Sequence, residues 1–295
     1  MKILITGCNG QLGTELIKIL HLGRSELGEI PTVYKDALVT GIDLPDLDIA
    51  DGRAVQEYVQ GTKPDLIINC AAMTHVDGCE RDPDLAMKGN AIGPRNLARA
   101  AQGIGAKLLH VSTDYVFAGD GDKPYAEWDV CAPQGAYGAS KLLGEQYVRE
   151  QCPRYFIVRT AWLYGYHGGN FVKTILRLAR EKGEVKVVDD QRGNPTNAAD
   201  LAHHILKIAV TEEYGVYHCT GEGVCSWYDF ARKIVELSGI PCTVSPCTSA
   251  EFPSPTRRPA YSALENRMLR CTVGDEMRPW EEALACFFKN YKEGE

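Results

Sequence analysis

The chain begins with a short apolar run, Lys2-Ile3-Leu4-Ile5-Thr6, that stops at Gly7-Cys8-Asn9-Gly10-Gln11-Leu12-Gly13. No other feature restricts the fold as strongly. Three glycines at this spacing allow a tight turn and let the backbone approach a pyrophosphate closely. Leu12–Leu20 then carries apolar residues at helical spacing, so the turn opens onto a helix N-terminus. Free N–H groups and the positive end of the helix dipole favour a phosphate there. The spacing is one residue looser than Gly-x-Gly-x-x-Gly, and a plain strand–helix turn competes as a reading of the glycines alone. Their place directly after an apolar strand favours a dinucleotide site. Gly7, Asn9, Gly10, Gln11, Leu12 and Gly13 are the cofactor-binding candidates.

A carboxylate is expected where the second strand ends, to hold a ribose hydroxyl. Asp43, after Leu38-Val39-Thr40-Gly41-Ile42, is the candidate. It comes later than the usual spacing of about 20 residues, which a surface excursion over His21–Asp36 would explain. A solvated loop aspartate is the alternative. A carboxylate here favours NADH, an arginine elsewhere would offset it, and NADH and NADPH both stay open.

Ala37–Ile42, Leu66–Cys70, Lys107–Val111 and Phe156–Arg159 read as further strands, and Pro94–Gln102 as a helix. Buried strands alternating with amphipathic helices predict an α/β fold, a Rossmann-type doubly wound parallel sheet. Residues 1–165 form the NAD(P)-binding domain on this reading. Residues 166–295 are less regular and mainly form a smaller C-terminal substrate domain. That part contains helices Phe171–Lys182, Asp200–Val210 and Trp227–Ser238, and a strand Glu184–Val188. A segment near Gly215–Thr220 is a candidate to return to the main sheet, and a proline-rich stretch, Pro253–Pro259, precedes the last helices.

Composition removes several function classes. A formal net charge of −7 over 295 residues argues against nucleic-acid binding, which needs clustered Lys and Arg. No apolar run reaches the ~18 residues of a membrane span, and the start lacks a signal-peptide cleavage pattern, so a cytoplasmic protein is expected. The eleven cysteines include no Cys-x-x-Cys pair and read as small buried hydrophobes and free thiols of a reducing compartment. A nucleophile elbow, a His-Glu-x-x-His helix and a Gly-x-x-x-x-Gly-Lys loop are all missing.

The chemistry centres on Tyr137-Gly138-Ala139-Ser140-Lys141, which opens a helix, and on Ser112-Thr113-Asp114-Tyr115-Val116-Phe117 at a strand end. Residues four apart share a helix face, which predicts the Lys141 ammonium near the Tyr137 ring. A nearby cation favours the phenolate and would bring the phenol toward working pH as a proton carrier. Lys141 is also expected to bond the nicotinamide ribose. Thr113 supplies a hydroxyl beside a substrate carbonyl. Tyr137, Lys141 and Thr113 are the catalytic candidates.

In Gly7–Gly13, Leu47-Asp48-Ile49, Asn69–Thr74, Ser112–Phe117, Tyr137–Lys141, Arg159–Gly165, Asp190–Thr196 and Arg257–Ser262 the chain resembles the extended short-chain dehydrogenase/reductases. The resemblance covers nearly the whole chain. Its last two motifs point to a branch that reduces nucleotide-linked 4-keto sugars. The resemblance implies that Asp48 and Ile49 flank an adenine and that Ala71, Ala72 and Thr74 line the cofactor cleft. Cys70 stands where these proteins usually keep an alanine. Asn90 corresponds to a helix asparagine, with a surface polar residue as the equal alternative. Thr113, Asp114, Tyr115 and Trp162 are implied at the sugar and Arg257 and Arg258 at its diphosphate. Trp162 reads equally as a core indole, and the arginines also as a solvated basic loop. Glu15, Asp189 and Asp190 are the acids for a magnesium ion that some members hold at a dimer contact, and a homodimer is an allowed assembly.

The implied activity is NAD(P)H-dependent reduction of the C4 carbonyl of dTDP-4-dehydro-L-rhamnose to dTDP-L-rhamnose. A dehydratase would need an acid where Tyr115 stands. An epimerase and a catalytically idle cofactor-binding subunit are the alternatives.

Overall fold

The structure is a computed structural model that describes residues 1–251 and 255–291; Pro253 and Ser254 of the proline-rich stretch lie outside the described residues. Six strands build the main sheet: β1 (Lys2–Thr6), β2 (Leu38–Ile42), β3 (Leu66–Asn69), β4 (Lys107–Thr113), β5 (Tyr155–Thr160) and, after β6 (Glu184–Val188) in a small separate sheet, β7 (Gly215–His218). The order across the main sheet is β2-β1-β3-β4-β5-β7, and every pairing is parallel. Parallel strands need crossover helices, and these cover both faces. On one face α1 (Gln11–Leu22) and α6 (Ala198–Ala209) bury Leu16, Ile19, Leu201 and Ile205 against Ile3, Ile5 and Phe156. On the other, α2 (Gly52–Thr62) and α3 (Gly93–Ile104) bury Val55, Val59 and Leu97 against Leu4, Ile67 and Leu108.

The second half contributes in two ways. Helix α6 and strand β7 join the main sheet's core. The remainder, α5 (Phe171–Lys182), β6, α7 (Trp227–Ser238), β8 (Thr243–Cys247) and α8 (Trp280–Asn290), surrounds a separate aromatic cluster of Tyr164, Phe230, Trp280 and Phe287. Strand β8 pairs parallel with β6. All eleven cysteines are unpaired.

The His21–Asp36 segment is not the plain surface excursion expected from its polar middle. It forms a two-residue hairpin, Arg24–Ser25 against Gly28–Glu29, then a 3-10 turn at Thr32–Tyr34. Tyr34 is buried and its hydroxyl donates to Leu206 O at 2.9 Å, so the segment is docked on α6. Glu26 in the hairpin pairs with Arg278, which also holds the buried Asp200.

The fold positions the site mainly through α4 (Ala136–Gln151), the helix after β4. Two of its glycines allow it to sit deeper than other residues would. A Cβ on Gly138 would lie 2.1 Å from Tyr115 O, and one on Gly144 would lie 2.2 Å from Asn90 O. One turn beyond Lys141, Glu145 receives the Arg159 guanidinium of β5 at 2.9 and 2.7 Å, with both side chains fully buried.

Alanine is the better helix former by about 1 kcal/mol, yet overpacking a tight contact costs about 1–3 kcal/mol. Gly144→Ala is therefore expected to destabilise the protein. Gly61→Ala, in α2 with nothing within 4 Å of the added Cβ, should stabilise it by roughly 0.5–1 kcal/mol. Denaturant unfolding of both variants checks the opposite signs.

Candidate active site

The glycine turn lies at the carboxyl ends of β1 and β2. Gly7 takes φ +68°, a conformation that disfavours side chains, and a Cβ there would lie 2.7 Å from Ala71 N. A Cβ on Gly13 would lie 2.3 Å from Gly7 O, and Gly10 N–H donates to Gly7 O at 3.1 Å. Helix α1 starts at Gly10 with no side-chain cap, which leaves its first N–H groups without a side-chain acceptor. Such a turn fits a pyrophosphate. Leu12 is buried in the core behind it, and the Gln11 side chain accepts from Asn170 at 3.0 Å. Thr6 pairs in register with Ile42, which brings Asp43 to the turn, and its carboxylate accepts the Asn9 N–H at 3.0 Å. Asp43 is thus held at the turn, not loose in a solvated loop.

Ala71, Ala72 and Thr74 follow β3 beside Gly7. Asn90 clamps this strip from a single π-helical turn, Lys88–Ile92. Its side chain accepts from Met73 N at 2.8 Å, donates to Met73 O at 3.0 Å and donates to Ser140 Oγ on α4 at 3.1 Å. Asn90 is fully buried, which removes the surface alternative. Ile49 is a core residue against Gly93, while Asp48 is exposed and accepts the Ala50 N–H at 2.9 Å.

Tyr137 projects into a cleft whose lining includes Tyr115, Gly138, Thr256, Arg257 and Arg258. The Thr113 hydroxyl faces the Tyr137 phenol and favours its ionised form. Thr113 Oγ1 also bonds Asp114 Oδ1 at 2.9 Å, and the Tyr115 ring meets Tyr137 edge-on at 5.4 Å. Arg258 pairs with Asp77 at 2.9 Å and donates to the Tyr115 hydroxyl at 3.4 Å, whereas Arg257 is exposed at the rim. Three sequence segments, 113–115, 137–138 and 256–258, therefore meet at one wall.

The Tyr–Lys pair differs from expectation. Lys141 Nζ donates to Val111 O at 2.6 Å and lies 3.5 Å from His110 Nε2. Burial pushes the Tyr137 phenol up, with Asp114, Tyr115 and Cys79 adding to the rise and the Thr113 hydroxyl opposing it. The phenol therefore keeps its proton, opposite to the lowering that Lys141 was expected to cause. Burial brings Lys141 down to about 8, against the pull of Glu145 and Cys70. Desolvation outweighs the charge of the pair, since Lys141 is fully buried and the Tyr137 ring is half-buried at the cleft wall.

Trp162 is not in the wall of this cleft. It adopts φ +47° and stacks on Trp227 with ring centres 3.5 Å apart and planes 5° from parallel. Gly193 makes room for it; a Cβ there would lie 2.6 Å from the indole. The proposed magnesium acids are each taken by protein donors. Glu15 is bonded to Lys18, Asp189 to Ser226 and Asp190 to Ser249. Among the described residues no three His, Cys, Asp or Glu side chains converge to hold a metal. Sequence reading missed Asn69, His110, Gly138, Gly144 and the Glu145–Arg159 pair. The signal for the last of these was a helix face, since Glu145 lies four residues after Lys141.

A six-stranded parallel sheet with a glycine turn after β1, and a Tyr-x-x-x-Lys helix against a Thr-Asp-Tyr strand end, define an extended short-chain dehydrogenase/reductase. The chain belongs to the family described as the RmlD substrate binding domain, which matches residues 1–293. The spore coat polysaccharide biosynthesis protein SpsK of Bacillus subtilis (strain 168) is 41% identical over 283 residues, covering 96% of this chain and 95% of that protein. A dTDP-4-dehydrorhamnose reductase structure from Clostridium acetobutylicum ATCC 824 superposes with a TM-score of 0.93 at 50% identity, covering 98% of this chain and 99% of the other. A dTDP-4-dehydrorhamnose reductase from Bacillus anthracis str. Ames, solved in complex with NADP, superposes with a TM-score of 0.91 at 45% identity and 98% coverage of both.

Burial also pushes the Asp114 carboxyl up, to about 6 from an ordinary 3.8, against hydrogen bonds from Ser262, Thr113 and the backbone. A raised folded-state pKa means the protonated acid suits the fold. That stability is complete below the unfolded pKa near 3.8 and is lost as pH rises through about 6. Asp114→Asn should therefore melt higher than the parent at pH 7–8, by on the order of 2 kcal/mol. The gap should close below pH 4 in thermal unfolding scans.

Proposed function

We propose that this chain reduces the C4 carbonyl of dTDP-4-dehydro-L-rhamnose to dTDP-L-rhamnose, a precursor of cell-surface polysaccharide, with NAD(P)H as the reductant. The observation that carries this reading is the meeting of Tyr137 with Tyr115 and the Thr113 strand end at a cleft lined by Arg257 and Arg258. A nicotinamide cofactor supplies hydride to the carbonyl carbon when bound. Tyr137, still protonated, gives its proton to the carbonyl oxygen as that oxygen gains charge. Thr113 turns its one O–H from Asp114 to the same oxygen, and the Lys141 ammonium balances the phenolate left behind. Tyr115 offers no carboxylate to remove a proton from a neighbouring carbon, which favours reduction over dehydration. An idle regulatory subunit would have no use for the intact Tyr137, Lys141 and Thr113 set.

Residues 1–165 are proposed to hold the cofactor and residues 166–295 mainly the sugar nucleotide. Arg257 and Arg258 are proposed to meet its diphosphate, since a guanidinium pairs bidentately with phosphate. Both nicotinamide cofactors are proposed to serve: the Bacillus anthracis relative was solved with NADP, while the Asp43 carboxylate favours NADH by charge. Eleven unpaired thiols suit a reducing cytoplasm.

Cofactor oxidation on adding dTDP-4-dehydro-L-rhamnose, with the sugar product identified, tests the reading; binding without turnover would sink it. Tyr137→Phe should bind cofactor normally and lose roughly 10²–10⁴-fold in kcat. Asp43→Ala should raise the KM for NADH by about tenfold or more, the loss expected for a charge-assisted hydrogen bond, and leave the KM for NADPH unchanged or lower.

A further inference from the structure

Behind Lys141 runs a buried hydrogen-bond chain that the reaction above does not use. Thr6 Oγ1 meets Asn69 Oδ1 at 2.6 Å, and Ala71 N–H donates to the same oxygen at 3.2 Å. A backbone N–H can only donate, so it fixes which end of the Asn69 amide is oxygen. The Asn69 Nδ2 donor then faces His110 Nδ1 at 2.9 Å. An imidazole nitrogen that accepts a hydrogen bond carries no proton, so a neutral His110 must carry its proton on Nε2. That nitrogen is the one 3.5 Å from Lys141 Nζ.

Both bonds of Lys141 can be satisfied at once in only one charge state. A neutral amine has two N–H donors and one lone pair. It donates to Val111 O, at 2.6 Å, and accepts from His110 Nε2–H. An ammonium has three donors and no acceptor, so it would set N–H against N–H.

Resting on the reductase reading, we propose that Thr6, Asn69 and His110 form a rigid relay that holds Lys141 toward its neutral amine in the free enzyme, with His110 as a positioning residue for the catalytic lysine. Other ionisable groups facing Lys141 are Glu145 on its own helix and Cys70 after β3; both favour its charged form. His110 is fully buried, and burial and Lys141 together hold its pKa well below the usual range, so it stays neutral and presents one tautomer. The low pKa of Lys141 agrees with the geometry but does not establish it.

Nitrogen-15 spectra of histidine-labelled enzyme without cofactor read the tautomer directly, with the His110 signals assigned by their loss in His110→Phe. The expected spectrum has the proton on Nε2. A proton on Nδ1 overturns the relay, whatever the enzyme does with any sugar. Asn69→Asp offers Nδ1 an acceptor in place of a donor, so the proton should move to Nδ1 and leave Nε2 free to accept from the ammonium. The basic limb of the kcat/KM profile should then shift up by about one pH unit, which raises the relative rate at pH 9 about fivefold. An unmoved limb and an unchanged tautomer overturn the proposal. So does a shift that persists in Asn69→Asp combined with His110→Phe, since the added charge alone would then explain it. Failure of the parent enzyme to reduce any 4-keto sugar would remove the reductase reading and leave the tautomer result standing.

Discussion

Arg159 and Glu145 meet in the interior where α4, β5, β7 and the loop before α4 converge, and the geometry of the site depends on that meeting. The guanidinium donates twice to Glu145 and once to Glu127 O, lies over the Phe117 ring at 5.1 Å, and faces His218 on β7 at 3.4 Å. Removing two charges from water is expensive, and a buried pair often gains little over apolar residues of the same size. What the pair supplies is position. A bidentate guanidinium–carboxylate contact tolerates little rotation or sliding, so α4 is fixed along its axis one turn from Lys141. The close approaches at Gly138 and Gly144 then fix its depth.

That placement determines the electrostatics. Tyr137, Lys141 and Asp114 are all shifted toward their neutral forms by burial. New charge develops at such a site as the carbonyl oxygen becomes an alkoxide. Hydrogen bonds aimed at that oxygen act in a low dielectric, where they are strongest. The proton donor needs no lowered pKa for this task, because an alkoxide is a far stronger base than a phenolate.

Much of the fold was legible because two periodicities carry it. Apolar runs of four to six residues marked the strands, and 3.6-residue spacing marked α1, α5 and α7 to within a residue or two. Helix α2 and the short helices Val76–Arg81 and Pro83–Met87 carry too weak a pattern to read, and the 21–36 segment is more ordered than its composition suggests. Its buried residues, Ile30 and Tyr34, are too few and too irregularly spaced to form a pattern, and only α6 shows what they pack against. Within the site, Thr113, Tyr115, Tyr137 and the two arginines were readable as residue types in order. The two readings of Trp162, sugar pocket and core, stayed open in the sequence because the indole's partner, here Trp227, lies 65 positions along the chain.

The sequence by itself determined the order of strands and helices, the glycine turn after β1 and the tyrosine proposed as proton donor. These rest on short-range geometry: spacing along one strand, one turn or one helix. Only the tertiary structure decided the direction in which Tyr137 and Lys141 are shifted, the partner of Lys141 and the seat of Trp162. Each depends on desolvation and on contacts between residues tens of positions apart, and burial is a property of the packed molecule that no local pattern encodes.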